Sequence, residues 1–171
     1  MPMQMHAGHI AAQAGGFEPQ RTNHFSVRIT GLEGADNLEL SISGTAPPRR
    51  TIEVITIPYA NENRKVASRV NYENWTLQVR DYVDKSIWGI LWRWQELVHN
   101  SDTGVIGLAS RYKKQGYLYL YSPDGTKRRT QELYGLFPIS VSPGADFSME
   151  SAEQVVLAME LSVDKIKLVD F

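Results

Sequence analysis

Apolar and polar residues alternate one by one in several segments of this chain, and this period of two is the pattern of a β-strand with one buried face. The first segment follows His24, where three apolar residues alternate with three polar ones: Phe25, Ser26, Val27, Arg28, Ile29 and Thr30. Similar alternation recurs at 38–43, 75–80 and 155–164. The segment 116–122 is apolar on both parities, which suits a central strand covered on both sides. Strands therefore dominate the predicted fold.

Turn residues and breaks in the alternation divide the predicted strands. A strand is predicted at 50–57, with a bulge between Val54 and Ile55 because the apolar parity shifts there. The polar segment 58–68 is predicted to be a long loop or a protruding hairpin. Further along, the pattern predicts strands at about 70–82, 127–136 and 155–164, a hairpin turn at 123–125, a turn at Pro143 and Gly144, and mostly loop at 101–115.

One segment changes period to about 3.6 residues and predicts a helix at about 84–99, with Asp84 as its N-cap. Its apolar residues fall on one face: Ile87, Ile90, Leu91, Trp94, Leu97 and Val98. Trp88 and Trp92 lie one turn apart outside that stripe. A partner subunit would cover them as interface anchors, or a loop or the N-terminal arm of the same chain would. The predicted fold is a mainly β, antiparallel β-sandwich or barrel with this one helix packed on it.

Length and composition narrow the classes of protein. A chain of 171 residues fits one domain, predicted at 23–171, after a segment 1–22 that is predicted to be a flexible arm. The formal net charge of -1 gives no general attraction to nucleic acid or to an acidic membrane. Cysteine is absent, which excludes disulfides, thiolate metal sites and Cys nucleophiles. We expect neither a membrane helix nor a secretory signal, because no segment has the apolar pattern of either.

Catalytic and ligand-binding motifs are not found in the sequence. The four His residues (His6, His9, His24 and His99) show no spacing that would place an oriented base beside a nucleophile or complete a metal site, and no Gly-rich phosphate loop is present. We therefore predict no catalytic site, no cofactor and no metal. Basic residues cluster at Arg49 and Arg50, at 111–114 and at 127–129, the latter two near aromatic residues. These clusters would be solvated edges, contacts with a neighbouring copy, or a surface for single-stranded nucleic acid.

In residue pattern and element order, the chain resembles the phage tail tube family, which in turn resembles the tube proteins of contractile injection systems. The resemblance covers roughly 23–166. It rests on Phe25-Ser-Val-Arg-Ile, on Ile57-Pro-Tyr-Ala-Asn-Glu-Asn-Arg-Lys followed by Val70-Asn-Tyr-Glu-Asn-Trp-Thr-Leu, on the Trp-rich helix, and on Gly116-Tyr-Leu-Tyr-Leu-Tyr, Tyr134-Gly-Leu-Phe-Pro-Ile-Ser-Val and Leu161-Ser-Val-Asp-Lys-Ile. One departure is Ala67-Ser68, where the family often has Pro-Gly.

The resemblance implies a structural subunit whose strands join those of neighbours into a ring barrel, with hexameric rings stacked into a tube for DNA ejection. It implies the sheath, baseplate, tape-measure and tail-terminator proteins as partners, location in the virion, and assembly in the host bacterial cytoplasm. DNA would pass through the lumen without specific binding. No membrane is involved.

This interpretation assigns roles to three groups of residues. The segment after the third predicted strand would contact the adjacent ring, through Tyr59, Asn61, Glu62, Asn63, Arg64 and Lys65. Trp88 and Trp92 would anchor the subunit interface, and Glu160 and Asp164 would face the lumen. Two alternatives stay open: an inner tube or baseplate-proximal ring protein of a contractile injection system, and a monomeric β-barrel that binds nucleic acid.

Overall fold

The strands and helices are given by a computed structural model that describes residues 19–143, 148–150 and 152–170. The strands are β1 (Phe25–Thr30), β2 (Ile42–Ala46), β3 (Arg50–Tyr59), β4 (Glu62–Tyr72), β5 (Trp75–Arg80), β6 (Lys114–Tyr121), β7 (Lys127–Ser142), β8 (Val156–Ser162) and β9 (Lys165–Asp170). The helices are α1 (Ala35–Ser41), α2 (Ile87–Val98) and α3 (Ala109–Tyr112). Most of the predicted arm, with His6 and His9, lies outside the described residues, as does Gly144.

β7 is long enough to belong to two sheets. Its first half pairs with β6 on one side and β9 on the other, and β6 continues to β1, which together form sheet 1. Its second half pairs with β8, which continues to β5 and β2, and these form sheet 2. All of these pairings are antiparallel. The fold is thus mainly β and antiparallel, as the sequence predicted.

The core lies between the inner faces of the two sheets and α2. Its largest fully buried side chains are Trp75, Trp94, Leu38, Leu77, Ile87, Leu91, Leu118, Leu133, Leu136, Leu157, Met159 and Leu161. In β5 and β8 the members of this set lie at alternate positions, so the period of two in the sequence corresponds to the buried faces of these strands.

The prediction of a single helix was wrong. Residues 38–41 of the strand expected at 38–43 instead belong to α1, which buries Leu38. α1 begins directly after Gly34, whose backbone is in the left-handed region with φ at 80. Leu40 points away from the core and is 79% exposed. A short apolar run that alternates over five residues fits one helical turn as well as a strand, so periodicity did not separate the two. α3 likewise forms within the segment predicted to be loop.

α2 is the predicted helix, but it begins later and has a different cap. The hydroxyl of Ser86 accepts a hydrogen bond from the Gly89 amide at 3.1 Å, and Asp81 Oδ1 accepts one from the Ile87 amide at 2.8 Å. These two side chains satisfy amides of the first turn that have no partner within the helix. Asp84, the predicted N-cap, lies before the helix and does not cap it.

Two predicted strands have different bounds in the structure. The strand expected at 70–82 is divided at Glu73 and Asn74, so β4 and β5 belong to different sheets. The terminal strand expected at 155–164 ends at Ser162, and the chain then turns back as β9, which pairs with the first half of β7. By contrast, the predicted turn at 123–125 does connect β6 and β7, and the Gly125 amide donates to the Ser122 carbonyl at 2.9 Å.

β3 and β4 form a two-stranded sheet of their own, joined by a short turn at Ala60 and Asn61. We call this hairpin the ribbon. The protruding hairpin is therefore the correct one of the two alternatives predicted for 58–68, and both of its strands extend well beyond that segment. The register shift lies between Ile52 and Val54, not between Val54 and Ile55 as predicted.

Candidate assembly surfaces

The ribbon is exposed along most of its length. Every residue of β3 is exposed, and in the described part of the chain the ribbon shares no ladder with another strand. Large apolar side chains nevertheless occur throughout it, with exposed fractions between 38% and 62%: Ile52, Val54, Ile55, Ile57, Tyr59, Val66 and Val70. An isolated two-stranded hairpin is marginally stable in water, and an apolar patch of this kind marks an interaction site.

The apolar residues of the ribbon lie on both of its faces. Directly paired residues share a face, and the pairs Ile55 with Val66 and Ile57 with Arg64 define one, which we call the Arg64 face. The pairs Ile52 with Val70 and Val54 with Ala67 define the other. The parity shift that the sequence shows at Val54 and Ile55 therefore reflects two apolar faces, which a ribbon would need if protein covered it on both sides.

The predicted inter-ring residues occupy the tip of this ribbon. Tyr59 and Glu62 form the last pair, Asn63 lies opposite Pro58, and Lys65 lies opposite Thr56. The Arg64 guanidinium lies over the Tyr59 ring, 4.5 Å from its centre, so these two side chains form one unit on the Arg64 face. Asn61 lies in the turn itself.

Trp88 and Trp92 stack against each other on α2, with ring centres 6.2 Å apart. Trp88 is half-buried and packs against the core, whereas Trp92 is 48% exposed. The two predicted anchors therefore differ in their surroundings. Trp88 contacts the core, and Trp92 is the one whose ring is accessible to a partner.

Trp92 lies on one wall of a cleft between α1 and the start of α2, which we call the α1–α2 cleft. The cleft consists of two adjoining depressions that share Asn37, Asp84 and Lys85. The cleft is also lined by Leu40, Tyr82, Glu33 and Arg93. Val83 lies beside the cleft and is fully exposed. Sequence patterns did not predict this surface, because its apolar members come from α1 and from the segment before α2, where no period singles them out.

A second apolar patch surrounds the segment after α2. Val105, Ile106 and Leu108 are between 61% and 72% exposed, and Leu97 of α2 is 44% exposed. The segment is anchored at its base, where the Glu96 carboxylate accepts hydrogen bonds from the amide and hydroxyl of Ser101, which lower the pKa of Glu96. We call Leu97, Val105, Ile106 and Leu108 the aliphatic patch.

The outward face of sheet 2 carries small and polar side chains. Two cross-strand rows define it: Ala46, Thr76, Glu160 and Ser140 in one, and Gly44, Gln78, Ala158 and Ser142 in the other. We call this the small-polar face. Glu160 lies near its centre, and its carboxylate accepts a hydrogen bond from the side-chain amide of Asn74 at 2.8 Å. Arg80, opposite Val156, brings the opposite charge to the same face.

Asp164 is in a different setting from Glu160. It lies in the link between β8 and β9, its carboxylate pairs with the Lys113 ammonium at 2.5 Å, and its amide donates to the Tyr134 carbonyl. The two predicted lumen acids are therefore separated, one on the small-polar face and one in an ion pair. Their assignment to the lumen stays a prediction.

The outward face of sheet 1 carries tyrosines and basic residues. Tyr117 and Tyr119 stack with ring centres 5.9 Å apart, and the Lys127 ammonium lies 4.1 Å from the centre of the Tyr119 ring. Burial, the larger influence, and the neighbouring Tyr117 raise the pKa of the Tyr119 hydroxyl. Members of two of the predicted basic clusters form ion pairs: Lys113 pairs with Asp164, and Arg49 pairs with Glu73 at 4.0 Å.

Catalytic chemistry finds no support in the described part of the chain. Within residues 19–143, 148–150 and 152–170, no group of three or more His, Cys, Asp and Glu side chains is placed to hold a metal ion. None of the helices described is long and apolar enough to cross a membrane. The prominent features are the exposed ribbon and apolar patches, which are features of an interaction protein.

Comparison with known proteins decides the family. Residues 21–167 match the family described as T4-like virus tail tube protein gp19. The chain belongs to this family. A tail tube protein is a structural component and not an enzyme, so the predicted absence of catalysis is confirmed by family membership. The protein is a tail tube component of a phage or phage-like particle.

Solved structures share the fold. A chain of the anti-feeding prophage cap, the terminating cap of that particle's tube, aligns with a TM-score of 0.71 over 100% of both chains at 17% identity. A chain of the extended sheath–tube complex of an extracellular contractile injection system, PVC, aligns with a TM-score of 0.69 at 17% identity, covering 97% of this chain and 99% of that one. Among curated protein sequences, none matches significantly.

Proposed function

We propose that this tail tube protein forms hexameric rings that stack into a hollow tube, and that the tube conducts DNA during ejection. Each ring would contain an inner barrel made of sheet 2 from every copy. The observation that carries the proposal is that sheet 2, within the described residues, ends in two strands that each pair on one side, while the ribbon is apolar on both faces. Both features are hazards in a monomer, and assembly removes them.

The strand order of sheet 2 permits closure between copies. In the described residues, β2 pairs only with β5, and residues 137–141 of β7 pair only with β8. Because the sheet has four antiparallel strands, its two edge strands run in opposite directions. β2 of one copy would therefore lie antiparallel to β7 of the next, and the pattern repeats around a ring without a mismatch.

The small-polar face would then line the lumen. Most of its side chains are small or uncharged, and Glu160 and Arg80 balance each other in charge. DNA would pass such a wall without the cluster of unpaired cations that holds phosphates. Trp92 would meet the neighbouring subunit, and the ribbon tip, with Tyr59, Asn61, Glu62, Asn63, Arg64 and Lys65, would contact the adjacent ring.

Other components would complete the particle. The sheath–tube, baseplate and tube-terminator assemblies in which the similar structures were solved suggest corresponding partners here, and a tape-measure protein would set the length. We propose assembly in the host bacterial cytoplasm and a tube domain at 23–171. The same evidence fits the inner tube of a contractile injection system, which would deliver protein instead of a genome.

Electron microscopy of the purified protein over a concentration series tests the proposal. We expect rings and hollow tubes of uniform width, with sixfold symmetry in end views. Deletion of ribbon residues 53–70 is expected to give rings that do not stack. Compact monomers at all concentrations, together with salt-dependent binding of single-stranded DNA, would instead favour the monomeric nucleic-acid-binding barrel.

A further inference from the structure

We propose that the Arg64 face of the ribbon binds the α1–α2 cleft of a second copy of this chain. This inference rests on the proposed function, and it adds the receptor surface for the ribbon. It is carried by two surfaces of the same chain that complement each other in apolar groups and in charge.

The Arg64 face has a defined chemistry. Its apolar part consists of Ile55, Ile57 and Val66, which are between 49% and 53% exposed. At its tip, Tyr59 is 62% exposed and is held under the Arg64 guanidinium. Glu62, paired opposite Tyr59, adds one negative charge. A receptor for this face needs an apolar floor, an aromatic surface and charges of both signs.

The α1–α2 cleft meets each of these needs. Leu40, Val83 and Tyr82 are 79%, 102% and 41% exposed, which is unusual for large apolar side chains so close together. Trp92 offers the aromatic wall, and Trp is a preferred anchor of protein interfaces.

The charges of the cleft are available to a partner. Glu33 and Asp84 lie on its walls together with Lys85 and Arg93. Within the described part of the chain, none of these four takes part in an ion pair. Carboxylates are thus present for Arg64 and cations for Glu62, and rim charges of this kind set the register and orientation of a complex.

The aliphatic patch is a poorer receptor for the same face. Its exposed members, Leu97, Val105, Ile106 and Leu108, include no aromatic or charged side chain. It offers no exposed aromatic surface to Tyr59 and Arg64, and it suits instead the other face of the ribbon, where Ile52, Val54 and Val70 are exposed.

The two surfaces differ, so the contact is heterologous. Each copy has one ribbon and one cleft, and each copy therefore both inserts and receives. Such contacts can repeat from copy to copy instead of ending in a closed pair, and between rings they would let a tube grow.

Engineered disulfides test the contact, and the natural chain contains no cysteine to interfere. Tubes assembled under reducing conditions from the double variant Ile57→Cys with Val83→Cys are oxidised and separated on a denaturing gel. We expect a ladder of covalent multimers. If that variant does not assemble, Leu40→Cys replaces Val83→Cys at the same cleft.

Two matched variants distinguish the receptor and the face. Thr56→Cys with Val83→Cys moves the thiol to the opposite face of the ribbon, and Ile57→Cys with Leu108→Cys moves the second thiol to the aliphatic patch. Both are expected to crosslink at least tenfold more slowly. Normal tubes that crosslink equally well or better in either control would overturn the inference and leave the proposed function standing. If the natural chain forms neither rings nor tubes, the proposed function fails as well.

Discussion

Gly135 lies where β7 passes from sheet 1 to sheet 2, in a left-handed conformation with φ at 72. A Cβ atom there would lie 2.0 Å from Asp164 Oδ2 and 2.7 Å from Asp164 Cβ, so the link between β8 and β9 leaves no room for one. Asp164 in turn pairs with Lys113. The glycine therefore sets both the bend of β7 and the position of that ion pair.

We predict that Gly135→Ala lowers the free energy of unfolding by more than Gly125→Ala does. Gly125 has a similar φ of 81 but open space around it, so Ala there adds only conformational strain, about 1–2 kcal/mol. Ala at Gly135 adds overpacking of about 1–3 kcal/mol more. Urea unfolding of the unassembled protein at low concentration measures the free energy of unfolding of both variants. Equal losses would show that the link between β8 and β9 shifts to accommodate the added Cβ atom, which would contradict the prediction.

The indole of Trp75 is fully buried and donates a hydrogen bond to the Thr45 hydroxyl at 2.7 Å. We predict that Thr45→Val costs about 1–3 kcal/mol, because it leaves a buried N–H without an acceptor. Thr76→Val is the matched control on the exposed side of β5, and we expect it to stay within about 0.5 kcal/mol of the natural protein. The same urea titration separates them, and an equal loss in both would contradict the prediction.

At the scale of the elements, the start of α2 depends on side chains before the helix. We predict that Ser86→Ala destabilises the protein by about 1 kcal/mol, because the Gly89 amide loses its cap. Asp84→Ala, at the position that the sequence pattern indicated, is expected to be near neutral since Asp84 does not cap the helix. Thermal unfolding followed by circular dichroism measures the two, and the reverse order would show that Asp84 is the cap in solution.

Elements were predictable from sequence where one face is buried and the pattern is long. The strands around Phe25, Trp75 and Leu157 and the helix at Ile87–Val98 follow their periods because each buries one face in the core. α1 was missed because Leu38 and Ile42 are also separated by one helical turn. The sequence could not show that the break at Glu73 and Asn74 separates two sheets, since that depends on which strands pair at long range.

The ribbon shows a second limit of sequence patterns. Ile52 and Val54 fall on one parity and Ile55 and Ile57 on the other, which within a single chain indicates a bulge or a buried strand. The structure leaves both faces exposed instead. A strand that other copies of the chain cover would show this pattern. The sequence analysis assigned an assembly role to the tip alone, and that role stays a prediction.

At the scale of the whole molecule, charge on the small-polar face should decide how assembled tubes treat DNA. Glu160 lies in the cross-strand row with Thr76 and Ser140, where a lysine would project from every copy around a ring. We predict that Glu160→Lys tubes retain single-stranded DNA that the natural tubes release. Retention should weaken steeply as salt rises, because phosphate binding releases counterions.

The control must change the net charge equally at another surface. Asp102→Lys does so in the exposed segment after α2, away from the small-polar face. Filter binding of a labelled oligonucleotide to preformed tubes, with and without capping of the tube ends, measures where DNA is held. If the small-polar face lines the lumen, only Glu160→Lys tubes bind DNA, and capping slows binding because the strand must enter from an end. If Glu160→Lys binds DNA at the same rate with capped ends, the face lies outside the tube, and sheet 1 would have to line the lumen with its tyrosines and Lys127.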